Sequence, residues 1–272
     1  LAEPSPRGAA QNGKDPRDSA ARSWLQAFDI TYGGFGREPK FLKPVVLSFL
    51  LRQSLRNDDR RLLENVFRTL DHMSAGGIRD QLGGAFHRYA VDRFWQVPHF
   101  EIMLDDNAAM ALLYLEAYQA SGESRYAAVA RSILDDLVAR FRLPAGGFAT
   151  SLDSDSEGVE GRYYTWAADE VRAVLGASAA APFIAAYVDP SHGLVQGRSV
   201  LRLLGAPASL LKTEIRFAES RSLLRKTRED RTPPRRDDKV LTSWNALTIS
   251  AFAKAAQVFD NEGYRRLARE EM

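Results

Sequence analysis

The feature that most constrains the fold is a unit that occurs three times: a helical segment, two glycines and an apolar residue. The units end at Gly33-Gly34-Phe35, Gly76-Gly77-Ile78 and Gly146-Gly147-Phe148. Paired glycines at the end of a helix turn the chain sharply, and the apolar residue then anchors it again. Repeated units of this kind predict helix hairpins placed side by side, as in an (α/α) toroid. An irregular helical bundle is the alternative.

Apolar residues recur at helical spacing along most of the chain from about residue 18. They predict helices at about 18–30, 45–55, 62–73, 104–118, 126–141, 167–175, 207–228, 243–258 and 261–271. Only 85–91 and 162–166 have the character of short strands, in a loop hairpin. The sequence therefore predicts an all-α fold.

The first 17 residues differ from the rest, because they contain three prolines and two glycines and show no period. We expect a linker or disordered tail over 1–17 and a helical domain over 18–272. A hairpin takes at least about 40 residues, so a closed ring of six needs about 240 or more before long loops are added. Two loops, at about 75–103 and 142–166, are long here. We therefore expect an incomplete (α/α)6 barrel whose two ends are cuts in a longer protein.

Composition restricts the chemistry. The chain has no cysteine, which removes disulfides, thiolate metal sites and dithiol chemistry and favours a reducing compartment, so we expect a cytoplasmic protein. A net charge of +2 gives no basic footprint for nucleic acid, and no apolar run is long enough to cross a membrane. No P-loop lysine follows Gly33–Gly36, and no serine nucleophile elbow occurs. We expect neither a cofactor nor a metal.

The first long loop is the richest segment for chemistry. It contains His87, Tyr89, Trp95, His99 and Glu101. A long loop dense in imidazole, carboxylate and aromatic groups is usually present for function. The two histidines and the glutamate are therefore candidate acid/base groups, and the tyrosine and tryptophan are candidate platforms for a sugar ring. The alternative is that the glutamate favours a helix N-terminus and the histidines satisfy loop carbonyls.

The second long loop is acidic, with carboxylates between glycines and aromatic residues behind them. Its D-x-D-x-E-G start is similar to a calcium loop, but Tyr164 occupies the twelfth position, where a bidentate Glu is needed. Paired carboxylates beside aromatic rings suit a glycosidase acid/base pair. Asp153 and Asp155 are therefore catalytic candidates and Trp166 is a stacking candidate. The alternative is a loop of Asx turns whose carboxylates cap backbone amides.

A third segment joins the two helices predicted at 207–228 and 243–258. Asp238, Lys239 and Trp244 lie on this connection and are candidate substrate-binding residues. The basic residues that precede them are better explained as a solvated surface.

In this order, the segments resemble the spermatogenesis-associated, thioredoxin-domain-containing family of bacteria and animals. The matching stretches are GGFGREPKF (33–41), GGIRDQLGGAFHRYAVDRFWQVPHFEIMLDDNA (76–108), GGFATSLDSDSEGVEGRYYTW (146–166) and DDKVLTSWNAL (237–247). The resemblance implies an upstream thioredoxin-like domain followed by an (α/α) barrel similar to six-hairpin glycosidases and N-acylglucosamine 2-epimerases. This chain would be the first part of that barrel.

Four positions depart from the family pattern. Ile102 stands where Lys is usual and Asp105 where Tyr is usual, while Ala85 and Ala246 each replace a Gly. Loss of a Lys beside Glu101 removes a nearby positive charge that would act on its protonation. The positions of the predicted acid/base residues in the two long loops match.

Two hypotheses for the function follow. The first is a carbohydrate-active barrel that acts on a sugar, either as a glycosidase with two carboxylates or as an epimerase in which His87 or His99 moves a proton. The second is a non-catalytic interaction module that works with the thioredoxin-like domain, so whether the chain is an enzyme stays open. Two carboxylates and a histidine within about 5–10 Å on one cavity would favour the enzyme.

Overall fold

A computed structural model describes residues 15–272, and ten α-helices dominate that part of the chain. They are α1 (Pro16–Gln26), α2 (Pro44–Asn57), α3 (Arg60–Ala75), α4 (Leu104–Ser121), α5 (Ser124–Arg140), α6 (Ala168–Tyr187), α7 (Leu210–Arg216), α8 (Ala218–Glu229), α9 (Thr242–Phe259) and α10 (Glu262–Glu270). A short 3-10 turn, Pro207–Ser209, precedes α7. The predicted all-α class is confirmed.

Three pairs of helices form hairpins, α2 with α3, α4 with α5, and α9 with α10. Each pair is joined by two residues, of which the first is Asp58, Gly122 or Asp260 with a left-handed backbone. That conformation ends a helix and reverses the chain. Helix α4 also packs against α2 and α9, so the first helices of the hairpins lie side by side and the second helices flank them. This alternation is the arrangement of an (α/α) toroid.

An asparagine in the first turn of α4 and another in the first turn of α9 make the same pair of hydrogen bonds to the backbone of a long loop. Asn107, the fourth residue of α4, accepts a hydrogen bond from the Phe86 N–H at 2.7 Å and donates one to the Phe86 carbonyl at 2.9 Å. Asn245, the fourth residue of α9, does the same with Phe148, at 2.7 and 3.1 Å. Both side chains are buried. The long loops are therefore fixed to the first turns of α4 and α9, where the groove described below opens.

Ten two-residue strands lie within these loops. They are β1 (Lys40–Phe41), β2 (Tyr89–Ala90), β3 (Pro98–His99), β4 (Ile102–Met103), β5 (Ser151–Leu152), β6 (Asp155–Ser156), β7 (Val159–Glu160), β8 (Leu194–Val195), β9 (Arg198–Ser199) and β10 (Arg236–Asp237). They form two antiparallel sheets of order β1-β2-β3 and β4-β5-β10 and the hairpins β6-β7 and β8-β9. A strand of two residues is too short to show the alternation of apolar and polar residues by which a strand is predicted from sequence.

Several element bounds differ from the predicted ones. Helix α6 runs on to Tyr187 through a kink at Gly176, whose φ is 72°. The stretch 207–228 is broken at Phe217 into α7 and α8. In the stretch 162–166, residues 162–164 form a turn and Trp166 makes a single antiparallel bridge with Ser199. The other predicted strand is a strand only at Tyr89–Ala90, with a single bridge from Phe86 to Arg79.

The predicted tail falls mostly outside the described residues. Helix α1 begins at Pro16, two residues before the predicted start of the helical domain. Between residues 15 and 272, no helix is both long and apolar enough to cross a bilayer.

Helices α6 and α8 form a smaller second core around Trp166, Phe183 and Leu224. Buried ion pairs connect this core to the hairpins. Arg228 on α8 contacts Asp80 at 2.7 Å, with both side chains 3% exposed. Arg79 contacts Glu214 on α7 at 3.0 Å. Because a buried charge without a partner is costly, these pairs fix the second core to the loop that precedes α4.

Candidate functional site

A groove of about 640 Å³ lies at the sheet β4-β5-β10, beside the start of α4. It is lined by polar and charged side chains from all three long connections: Glu101, Ser151, Asp153, Arg235, Arg236, Asp237, Asp238 and Lys239. Four of the predicted site residues are therefore brought together, from segments about 50 to 140 residues apart in sequence.

Strand register explains why two of the carboxylates face the same groove. Leu152 on β5 is paired with Ile102 on β4 and with Arg236 on β10. Continued by one residue beyond the ends of β4 and β5, this register places Glu101 opposite Asp153, whose N–H donates to the Arg235 carbonyl at 2.8 Å. Side chains opposite each other on antiparallel strands have Cβ atoms about 4.5–5.5 Å apart. Glu101 and Asp153 are thus close neighbours on one face.

His99 adjoins the groove and contacts two carboxylates. Its Nδ1 lies 2.7 Å from Glu160 Oε1, and its Nε2 lies 3.8 Å from Glu101 Oε2. Arg88 donates to the same Glu101 oxygen at 2.7 Å. The ring also stacks on Tyr89, with centroids 5.0 Å apart. A histidine between two carboxylates, with 27% of its side chain exposed, can exchange protons with a bound molecule.

The sequence analysis did not select Asp106, in the first turn of α4. Burial raises the pKa of its carboxyl to about 6, and the negative charges of Asp105 and Glu101 act in the same direction against Arg88. Burial also raises the pKa of Asp105. Asp106 is not among the side chains that line the groove, so this shift by itself assigns it no role there. The signal available in the sequence was the Asp-Asp pair four residues after Glu101.

The chain is similar in sequence to known proteins. No protein-family model matches it. Human spermatogenesis-associated protein 20 is 36% identical over 278 residues, which cover 87% of this chain and 35% of the human protein. The rat protein is 34% identical over 274 residues, covering 87% and 35%. The chain is a homologue of spermatogenesis-associated protein 20. It spans about a third of the length of these relatives.

A solved structure shows the fold of this chain. A family 76 glycoside hydrolase from a bovine Bacteroides thetaiotaomicron strain has a TM-score of 0.50 and 13% identity, covering 86% of this chain and 37% of that chain. The identity is too low to carry function, but the likeness and the hairpin packing described above show the fold. The predicted toroid of helix hairpins, of the six-hairpin glycosidase type, is confirmed.

His87 lies away from the groove and is fully buried. Its Nδ1 is 2.9 Å from the Phe100 carbonyl oxygen, and its ring packs edge-on against Phe100 and Tyr164. Burial lowers the pKa of the imidazole to about 4. His87 is thus a neutral core residue of the loop, and no solvent reaches it.

Replacing His87 with Gln is expected to reduce the pH dependence of stability. The folded pKa of about 4 is below the unfolded value of about 6.5, so the unfolded chain binds more protons between these values. This contribution to stability is therefore complete above about pH 6.5 and is lost as the pH falls towards 4. Wild type should lose about 2 kcal/mol more than the variant between about pH 7 and about pH 5, measured by urea unfolding.

His192→Gln provides the matched control, because 74% of that side chain is exposed. Its stability should follow the wild-type pH dependence. An identical pH dependence in wild type and His87→Gln would contradict the burial of a neutral imidazole.

The predicted tryptophans are held within the protein. Trp95 is fully buried, has a φ of 64° and donates its indole N–H to the Tyr32 carbonyl at 2.9 Å. Trp166 is 1% exposed, and the Arg231 guanidinium lies 3.9 Å from the centre of its ring. Trp244 is half-buried against the main core. None of the three lines the groove.

The remaining predicted site residues are Asp155, Asp238 and Lys239. Asp155 is exposed on the β6-β7 hairpin, where Ser154 Oγ donates to it at 3.1 Å, and it does not line the groove. Asp238 and Lys239 do line it. Lys239 donates to Asp237 at 2.9 Å and lowers the pKa of that carboxyl. Over residues 15–272, no three His, Asp or Glu side chains are grouped as a metal site requires.

Proposed function

We propose that the groove binds a carbohydrate and that Glu101, Asp153 and His99 perform acid/base chemistry on it. The observation that carries the proposal is their convergence: two carboxylates, one just before β4 and one just after β5, line one cavity, and the imidazole lies 3.8 Å from one of them. Glycoside hydrolysis uses a pair of carboxylates that flank the bond to be broken. The lining contains both acidic and basic side chains, which offer acceptors and donors for sugar hydroxyls.

The two chemical versions assign different work to these residues. In a glycosidase, one carboxylic acid protonates the leaving oxygen and the other acts on water or on the sugar carbon. Glu101 and Asp153 are the pair for that reaction. In an epimerase, a histidine moves a proton at a carbon next to a carbonyl. Because His87 is buried, His99 is our candidate for that step.

One observation favours the second hypothesis, a non-catalytic module beside an upstream thioredoxin-like domain. Asp153 Oδ1 and Glu160 Oε1 each accept a backbone N–H at 3.4 Å, from Asp155 and Phe100 respectively. If these carboxylates serve only to accept hydrogen bonds from backbone N–H groups, they stabilise the loop and take no part in catalysis. With no cysteine in this chain, any thiol exchange would belong to the other domain. The cytoplasmic location likewise stays a prediction.

A sugar panel on the full-length protein tests the proposal, with Asp153→Asn and Asp155→Asn as a matched pair. The two residues lie in the same loop, but only Asp153 lines the groove. We expect saturable binding or turnover of at least one sugar that Asp153→Asn abolishes and Asp155→Asn retains. Circular dichroism and the melting temperature verify that both variants fold.

Two outcomes would overturn the proposal. The first is the absence of binding or turnover for every sugar in the panel. The second is sugar binding that neither substitution changes, since the sugar would then occupy another place. Either result leaves the interaction module as the better account.

A further inference from the structure

Three aromatic rings form a row across the sheet β1-β2-β3. The strand register pairs Phe41 with Tyr89 and Tyr89 with His99. The ring centroids are 4.9 Å apart in the first pair and 5.0 Å apart in the second. Because opposite residues on neighbouring strands project from the same face, the three rings lie on one side of this sheet. We call these three residues the aromatic row.

The aromatic row is on the outward side of the sheet. Successive side chains of a strand point to opposite faces of the sheet. The neighbours of the three rings on the same strands are buried: Lys40, Ala90 and Pro98. On the outward side, Phe41 is 42% exposed and Tyr89 is half-buried. Outward positions on a small sheet usually carry polar side chains, so a run of rings there requires an explanation.

The aromatic row is continuous with the groove. His99, at the end of the row, contacts Glu160 and lies beside Glu101. Three residues further along the chain the second sheet begins at Ile102, directly after Glu101. The carboxylates and the rings therefore form one track. Because neighbouring strands are about 4.8 Å apart, Phe41 lies about 10 Å from His99, a distance longer than one sugar ring.

We propose that the aromatic row is a stacking subsite and that the ligand of the groove is an oligosaccharide. This inference rests on the proposed function. One sugar unit lies at Glu101 and Asp153, and the following units lie along His99, Tyr89 and Phe41. Sugars present apolar C–H surfaces, which pack on aromatic rings while their hydroxyls stay in water. A row of exposed rings beside paired carboxylates is suited to that combination.

The experiment compares ligands of increasing length on the full-length protein, by calorimetric titration. The probes are the glucose and mannose series, each from the monosaccharide to the tetrasaccharide. In wild type we expect affinity to rise with length. In Phe41→Ala, affinity for the trisaccharide and tetrasaccharide should fall about 3- to 10-fold, while affinity for the monosaccharide is unchanged. Phe41→Trp should restore the binding of the longer ligands.

Phe94→Ala is the matched control, because Phe94 is an aromatic residue of similar exposure, 44%, that lines neither the row nor the groove. It should leave every affinity unchanged. Phe41→Leu keeps apolar bulk without the ring, and its melting temperature shows whether the site still folds.

The outcomes separate this inference from the proposed function. If sugar binding depends on Asp153 but Phe41→Ala weakens no ligand, or weakens all lengths equally, the stacking subsite is wrong and the groove proposal stands. If no member of either series binds, the oligosaccharide proposal is wrong, and the sugar panel then decides the function of the groove.

Discussion

Glu101→Gln is expected to lower kcat/KM for sugar turnover by about 10²- to 10⁴-fold in the full-length protein, the range for loss of one acid/base group. Gln has the shape of Glu and can still accept the hydrogen bond from Arg88, which is 2.7 Å long in the wild-type protein. It carries no negative charge and cannot take up or release a proton as a carboxyl group does. A group that acts in the transition state should change kcat, with a smaller effect on KM. Steady-state kinetics with the best sugar from the panel measures both constants.

Glu123→Gln is the control for this prediction, because that glutamate is exposed at the turn between α4 and α5 and its carboxylate contacts only Arg125 there. Its kinetics should equal those of wild type. If kcat is unchanged in Glu101→Gln, Glu101 serves only to bind Arg88. Another side chain of the groove would then have to be the acid/base group.

Asp80→Asn is expected to lower the free energy of unfolding by about 3–5 kcal/mol, the usual effect of breaking a buried ion pair. Asp80 contacts Arg228 at 2.7 Å and lies 3.7 Å from Arg140, and all three side chains are largely buried. The amide keeps the volume but leaves two buried guanidinium groups without this counter-charge. Chemical denaturation at neutral pH measures the change.

The exposed pair of Asp169 and Arg172 gives the control, since the Asp169 side chain is 93% exposed. Asp169→Asn should change stability by at most about 1 kcal/mol. A similarly small change in Asp80→Asn would mean that water or other groups replace the lost charge, and that the second core is not fixed to the loop by this pair.

The contribution of the Asp80–Arg228 pair to the free energy of unfolding is expected to decrease at acid pH. Burial by itself raises the pKa of Asp80, but the charges of Arg228 and Arg140 outweigh burial and hold it well below its usual range. Its contribution to stability is therefore present above the unfolded pKa of about 3.9 and is lost as the pH falls below that value. Asp80→Asn should lack this acid-dependent loss, which acid titration of both proteins would reveal.

The helices and their order could be predicted because their signals are local. A period of 3.6 residues is a property of a few consecutive residues, and tertiary contacts only adjust its bounds. The kink at Gly176 and the break at Phe217 are such adjustments. The glycine pairs were a poorer signal: Gly76 ends α3, but α1 and α5 end several residues before Gly33 and Gly146. The loop residues Glu101 and Asp153 were also selected from sequence, because dense carboxylates in a long loop are visible without a structure.

The sequence could not show which of these side chains meet. Glu101 and Asp153 share a groove through the pairing of two-residue strands, and so short a strand has no period. Tertiary packing likewise buries His87 and Trp95 and leaves Phe41 exposed, although all three are ring-bearing residues of similar loops. The sequence by itself thus determined the helix hairpins and the chemistry-bearing loops. Only the tertiary structure decided which residues of those loops reach solvent together, because burial and strand register depend on contacts between distant segments.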